Sequence, residues 1–201
     1  MKKEQREATR AQIVKAALLS IAERGYDGVT TRYIASVAKV SQGLLTYHFK
    51  SKELLWRAAA EHLFETLDQL LFEGMQGVDS GIENNSIDVR ETQRELIRRL
   101  VYFNAEHPEL LRFMVQRGTD NDTRTEWLVD SHVKPSFSKF SAAMPDIPKE
   151  HLPHMFYAIA GASGVIFSVP LECERATGVI PNSPKGIKDH AEYLAYLFIP
   201  E

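Results

Sequence analysis

Residues 30–52 read TTRYIASVAKVSQGLLTYHFKSK. The spacing of their apolar and capping residues divides them into two short helices, a tight turn between, and the start of a third helix. Ile34, Ala35 and Ala38 recur at helical spacing, with Thr30 or Thr31 in front as N-cap. Ala38-Lys39-Val40 is too short for anything but a turn. Ser41 caps the next helix, in which Leu45 and Phe49 stand at i and i+4 and point inward. Gln42, Gly43, Leu44, Thr46, Tyr47 and His48 are left outside. This is a helix-turn-helix layout: the first helix braces, and the second presents a polar and aromatic face narrow enough for the major groove of DNA.

The pattern extends on both sides. Gly25-Tyr26 and Thr30-Thr31 precede Ile34-Ala35; Val40-Ser41-Gln42-Gly43, His48-Phe49 and Ser51-Lys52-Glu53-Leu54-Leu55 follow. On these residues, within positions 8–58, the chain resembles the N-terminal domain of the tetracycline-repressor (TetR/AcrR) family of bacterial transcription regulators. The resemblance implies an N-terminal three-helix helix-turn-helix domain (1–50) and a larger helical ligand-binding and dimerisation domain (51–201). It further implies a cytoplasmic homodimer, usually a repressor, that binds an inverted-repeat operator in double-stranded DNA and is released by a small-molecule effector. Two residues depart from the family pattern. Lys39 stands where a turn glycine is usual, so the turn must form without the residue best suited to positive φ. Thr46 replaces a frequent tyrosine, so any contact that tyrosine makes is shortened or lost. These departures favour the alternative, a helical small-molecule or protein-binding module that keeps the fold but lacks specific DNA binding.

Charge is distributed in the same sense. Residues 1–60 carry 11 Lys and Arg against 5 Asp and Glu, a net +6, and the remainder carries 13 against 22, a net −9. A basic head on an acidic body suits a DNA-binding domain joined to one that does not bind DNA; chance segregation of solvated charge gives the same numbers. The single cysteine, Cys173, excludes an internal disulfide framework and a cysteine-based zinc site, and suits a reducing cytoplasm. The charged N-terminus has no apolar signal region, and the most apolar run, 158–171, is shorter than the roughly 20 residues a membrane span needs. No membrane partner is expected.

The rest of the chain reads as helices alone, about nine in all, giving an all-α fold. The first covers 5–24, with Ile13, Val14, Ala17, Leu18 and Ile21 on one face, Gly25 as its terminator and Tyr26 at the corner. Lys2 and Lys3 read as a solvated tail, while Arg6 and Arg10 stand where they could reach a phosphate. The fourth opens at Ser51, runs to about Phe72 and links the two domains. Residues 74–86 read as a glycine- and asparagine-rich linker. Asp88 and Glu91 have capping-box spacing for a fifth helix ending near Glu106. Pro108 starts a sixth that stops at Gly118, and Asn121 or Asp122 caps a seventh that runs to about Met144 with a bend at Pro135. Pro148 opens an eighth, bent near Pro170 and finished by Gly178, and Ser183-Pro184 begins a ninth ending at Phe198.

The candidate DNA-binding residues are Thr31, Arg32, Ser41, Gln42, Gly43, Leu44, Thr46, Tyr47, His48 and Lys52. Gln42 can pair with an adenine edge, Gly43 admits close backbone approach, and Leu44 can touch a thymine methyl. Lys52 sits at a helix N-terminus as a phosphate contact. Leu44 and Tyr47 would instead be packing residues if they turned toward the first or fourth helix. In the body, the resemblance implies an apolar pocket, for which Phe103, Arg117, Trp127, Ser131 and Phe167 are the candidate lining. The small residues of 160–164 and the apolar ninth helix suggest a helix-pair surface, across a two-fold or within the chain, with Ala160, Gly164, Ala191, Leu194 and Phe198 as candidate dimer contacts. His151 and His154 share a face but lack a visible third ligand, so they read as surface histidines and no metal is assigned. No nucleophile–base motif, phosphate loop or carboxylate pair is visible; the sequence points away from an enzyme and calls for no cofactor.

Overall fold

A computed structural model of the chain describes residues 2–72, 86–117 and 122–200. Of the expected linker at 74–86, residues 74–85 lie outside the described residues and Ser86 is already helical; the stop at Gly118 and the cap candidate Asn121 also lie outside them. The head consists of α1 (Lys2–Arg24), α2 (Thr31–Val37) and α3 (Gln42–His48), followed by α4 (Lys52–Phe72). The body adds α5 (Ser86–Glu106), α6 (Glu109–Arg117), α7 (Thr123–Leu128), a π-helical turn (Val129–Val133) and α8 (Lys134–Ala143). It closes with α9 (Leu152–Ser168), α10 (Pro170–Thr177) and α11 (Pro184–Phe198). No strand occurs among the described residues.

The head folds as its apolar period dictates. Ile13, Val14, Ala17, Leu18 and Ile21 of α1 are buried against Ile34, Ala35, Ala38, Leu45 and Phe49. Gly25 ends α1 with φ 76°, and its N–H reaches the Ile21 carbonyl at 2.8 Å. Thr30 is the N-cap of α2, its hydroxyl accepting from the Tyr33 N–H at 3.1 Å. Ser41 caps α3 in the same way through the Leu44 N–H, and Ser51 caps α4 through the Leu54 N–H.

Between α2 and α3 the chain makes a Schellman turn on a lysine. The Val40 N–H bonds the Ala35 carbonyl at 3.0 Å and the Lys39 N–H the Ser36 carbonyl at 3.1 Å. Lys39 takes φ 53°, the one positive value at a non-glycine among the described residues. From α1, Gln12 Nε2 donates to the Ala38 carbonyl at 2.8 Å, so the turn is tied down from outside as well.

Trp56 of α4 joins head to body. Its side chain is fully buried, stacked on Phe113 of α6 (centroids 5.7 Å) and edge-on to Trp127 of α7 (5.5 Å) and to Tyr26 of the head (6.4 Å). One apolar cluster therefore runs from Ile13 through Trp56 to Phe103, Phe113 and Leu128. A second cluster lies among α5, α9 and α11 around Ile97, Val101, Ile159, Phe167 and Leu194. Polar bonds tie it: Asn104 of α5 donates to the Ser163 hydroxyl of α9 at 3.1 Å, Arg98 pairs with Glu192 of α11 at 3.1 Å, and Arg94 donates to the Ile199 carbonyl at 2.9 Å.

Four expectations change. Helix α1 begins at Lys2, so Lys3 is helical, not part of a solvated tail. Helix α5 begins at Ser86, which places Asp88 inside its first turn, while Glu91 bonds Arg98 at 2.7 Å. The expected bend at Pro135 is a π-turn just before it. The Lys134 N–H bonds the Val129 carbonyl five residues back, which re-registers the helix where proline offers no N–H. Finally, Pro148 opens only a turn; α9 starts at Leu152, and the junction before Pro170 is an 82° break between α9 and α10. Breaks at 129–133 and at 169 turn the expected nine helices into eleven α-helices among the described residues. No single helix among them is long and apolar enough to cross a membrane.

Lys39→Gly is expected to stabilise the protein by about 0.5–1 kcal/mol in urea unfolding, because it removes the left-handed strain and gives back only part of that in chain entropy. Unchanged or lowered stability would show that the lysine side chain makes a compensating contact.

Candidate nucleic-acid interface

The braced α2–α3 pair holds one face of α3 outward. Leu45 and Phe49 anchor the helix in the core, while Gln42, Gly43, Leu44, Thr46 and Tyr47 are exposed and His48 is half-buried. Tyr47 is 68% exposed, the most open aromatic side chain among the described residues. Neither it nor Leu44 is absorbed by a neighbouring helix, which settles the packing alternative for both. Gln42 Nε2 donates to the Thr31 hydroxyl at 3.1 Å, tying the first turn of α3 to the first turn of α2. Thr46 turns its hydroxyl back to the Gln42 carbonyl at 3.0 Å. Ser41 is committed to its cap, and Arg32 is exposed on α2. A Cβ built on Gly43 would meet nothing within 4 Å, so the chain's own packing does not require glycine there.

Cations frame this face. The Arg10 guanidinium lies 5.2 Å from the Phe49 ring centre, and Arg24 lies 4.4 Å from that of Tyr33 on α2. Burial first, and then the positive charges of Arg6 and Arg10, hold the His48 imidazole below its ordinary pKa. The ring is edge-on to Tyr47, with centroids 5.3 Å apart. The Lys52 ammonium rests 4.1 Å from the Tyr26 ring centre. Exposed amide, hydroxyl and aromatic groups on one short helix, flanked by cations, are the functional groups needed for base edges and phosphates respectively.

Residues 13–65 match the family model described as bacterial regulatory proteins, tetR family. Over these residues the head is of the tetR type. The HTH-type transcriptional repressor NicS of Pseudomonas putida is 25% identical over 111 residues, covering 55% of this chain and 49% of that protein. The HTH-type transcriptional regulator TtgR of Pseudomonas putida is 40% identical over 68 residues, 34% of this chain and 32% of that one. The chain thus spans half or less of the length of these relatives. Over nearly its whole length it has the fold of AibR, solved in complex with isovaleryl coenzyme A and operator DNA. The TM-score is 0.71 at 16% identity, covering 96% of this chain and 98% of that one.

The candidates in the body are dispersed around the tetR-type head. Phe103 is buried in the first cluster, stacked on His107 at 4.6 Å, and Phe167 is buried in the second, edge-on to His190. Ser131 is exposed on the π-turn. Arg117 ends α6, and its side chain lies outside the described set. Trp127 is half-buried beside His132, which in turn stacks on Phe64 of α4 at 4.7 Å. Two nitrogens in this aromatic group, Trp56 Nε1 and His132 Nε2, are buried without a hydrogen-bond partner.

The dimer candidates need correction. Gly164, Ala191 and Leu194 are buried within the chain. A Cβ on Gly164 would stand 3.1 Å from Asn104 Oδ1 and 3.4 Å from Leu111, so the small residue lets α9 close on its own neighbours. Ala160 and Phe198 are half-buried. The outward row of α9 is instead Tyr157, Gly161 and Val165, and that of α11 is Tyr193, Tyr196 and Leu197. Their i, i+4 spacing was readable in the sequence, but which apolar row faces outward depends on the packing of α5.

A phosphate approaching Arg6, Arg10 and His48 would raise the imidazole's depressed pKa, so binding would take up a proton. Affinity for a DNA duplex is expected to rise as the pH falls from about 7.5 to about 6, and His48→Gln should abolish the rise. Equal pH dependence in both proteins would show that no phosphate comes near this residue.

Proposed function

We propose that the chain is a homodimeric, effector-responsive transcriptional repressor that places one α3 in each half of an inverted-repeat operator. The observation that carries this reading is the exposed Gln42–His48 face on a helix anchored by Leu45 and Phe49, within a tetR-type head. Residues 1–50 read DNA; residues 51–201 dimerise and bind the effector. Gln42, Gly43, Leu44 and Tyr47 are assigned to base edges; Thr31, Arg32, Ser41, Thr46, His48 and Lys52 to phosphates and helix positioning. That Gly43 has room for a side chain supports a role in close approach to something outside the chain.

A single short helix reads too few bases for a specific site, so two heads roughly 34–36 Å apart are needed. The outward rows of α9 and α11, with Tyr157 and Tyr193 each 66% exposed, supply an apolar surface for an isologous contact. For the effector, the group around Trp127, His132 and Phe64 is favoured among the candidates. It combines aromatic surface with an unpartnered nitrogen and adjoins a π-turn, an irregularity frequent at functional sites. Effector binding would shift the body toward a conformation in which α4 swings and the two α3 helices no longer match consecutive grooves.

Val165→Glu and Tyr193→Glu, tested by sedimentation and by anisotropy on a duplex selected from random sequence, provide the check. Each is expected to give a folded monomer whose affinity for the full site falls at least about a hundredfold, while binding to a half-site changes little. A variant that stays dimeric, or a wild-type monomer that binds the full site tightly, would contradict the proposal.

A further inference from the structure

One side-chain bond crosses from the bracing helix α2 to the outward face of α3. Gln42 Nε2 donates to the Thr31 hydroxyl at 3.1 Å, the one bond that the Gln42 side chain makes among the described residues. Both residues are placed by other groups. Thr31 opens α2, but the N-cap there is Thr30, so the Thr31 hydroxyl is not spent on the helix end. Gln42 opens α3 behind the Ser41 cap, and its backbone carbonyl accepts from the Thr46 hydroxyl at 3.0 Å. The buried residues Ile34, Ala35 and Leu45 fix the two helices in one core.

A glutamine amide has an acceptor, Oε1, and a donor edge with two N–H groups. Turning the donor edge toward Thr31 leaves Oε1 and one N–H for an outside partner, and Gln42 is exposed. A hydroxyl can accept or donate, so in water the amide can also sit reversed, with Oε1 on the Thr31 hydroxyl. The hydroxyl has a single proton, however, and that of Thr31 goes to no acceptor among the described residues. Once it is given to a phosphate oxygen, Thr31 can only accept from Gln42, and the reversed amide is ruled out.

We propose that Thr31 sets which base Gln42 reads. By giving its proton to a phosphate and accepting from Gln42, it turns the amide so that Oε1 meets a base edge that carries a donor. Adenine fits this arrangement: its N6–H2 group meets Oε1 and its N7 takes the remaining N–H. Guanine presents two acceptors, O6 and N7, and its O6 would face Oε1. One hydroxyl thus links a phosphate contact, which carries no sequence information, to the reading of a base. This rests on the reading of the head as DNA-binding and on the assignment of Thr31 to a phosphate. Thr31 itself touches no base; it is a positioning residue.

The test starts from a duplex selected from random sequence by the full chain. Every base pair is then placed in turn at each position of the site, and affinity is read by fluorescence anisotropy. The position at which Gln42→Ala loses its preference is the one Gln42 reads. There the wild type is expected to favour an A·T pair, in one orientation, over G·C in either orientation by about tenfold. Thr31→Val keeps the shape and removes the hydroxyl; it is expected to cut that preference to about twofold. It should leave the preferences at other positions unchanged and weaken binding to every duplex by about threefold, for the lost phosphate bond. Thr31→Ser, which keeps the hydroxyl, should retain the preference, and Thr31→Val should have no effect on preference in the Gln42→Ala background. If Thr31→Val fails to melt cooperatively, Thr31→Ala takes its place with the same expected results. A hydroxyl-free variant that binds every duplex more weakly but keeps the A·T preference would overturn the proposal. So would a wild-type preference for G·C at that position, or a specific wild type in which Gln42→Ala alters no position. In each of these cases the head still binds DNA, and that reading stands. A wild type that prefers no sequence would overturn both.

Discussion

The burial of Trp56 is the constraint on which the rest of the structure depends. Its indole sits where α1, α4, α6 and α7 meet, in contact with Tyr26, Phe113 and Trp127. Burying a side chain of this size is worth several kcal/mol, on the order of 3–5 by the cost of truncation. The head cannot rotate on the body without sliding these rings past one another. Any movement of head against body is therefore a repacking between discrete arrangements, not a free hinge. The unpartnered indole N–H marks this junction as less than fully satisfied, which is where alternative packings cost least.

The exposed face of α3 follows from that rigidity. Helix α3 has two turns and would not hold its shape alone. It is fixed by the Ser41 cap, by Leu45 and Phe49 beneath it, and by a Schellman turn whose carbonyl end is bonded from α1. Every polar side chain left on the outside is thereby held at a defined angle without a partner protein. The arginines of α1 then contribute beyond electrostatic attraction: Arg10 over Phe49, with Arg6 near His48, places positive charge at one end of the exposed face.

The head was legible almost residue by residue because its information is local. A cap, two apolar positions at i and i+4, and a turn too short to be anything else specify α2 and α3; that Lys39 takes the strained turn position was marked only by the family resemblance, which has a glycine there. The body was legible in class but less so in detail. Proline marks a disturbance, yet the sequence does not say whether the helix bends, inserts a π-turn as before Pro135, or breaks by 82° as before Pro170. The row 160–164 was ambiguous for a similar reason. Small residues announce a close approach but not the approaching element, and here Asn104 and Leu111 fill that place for Gly164. The Gln42–Thr31 bond joins side chains of two helices across the turn, and only the fold brings them together.

The proposed function requires the outward face of α3 to read sequence in DNA. Selection of bound duplexes from random DNA tests it most directly, carried out in parallel with the wild-type chain and with Gln42→Ala and Tyr47→Ala. The expected result is enrichment of an inverted repeat with half-sites about one helical turn apart, with loss or change of preferred bases at matching positions of both half-sites in the variants. Failure to enrich any sequence, or the same site enriched by all three proteins, would contradict it.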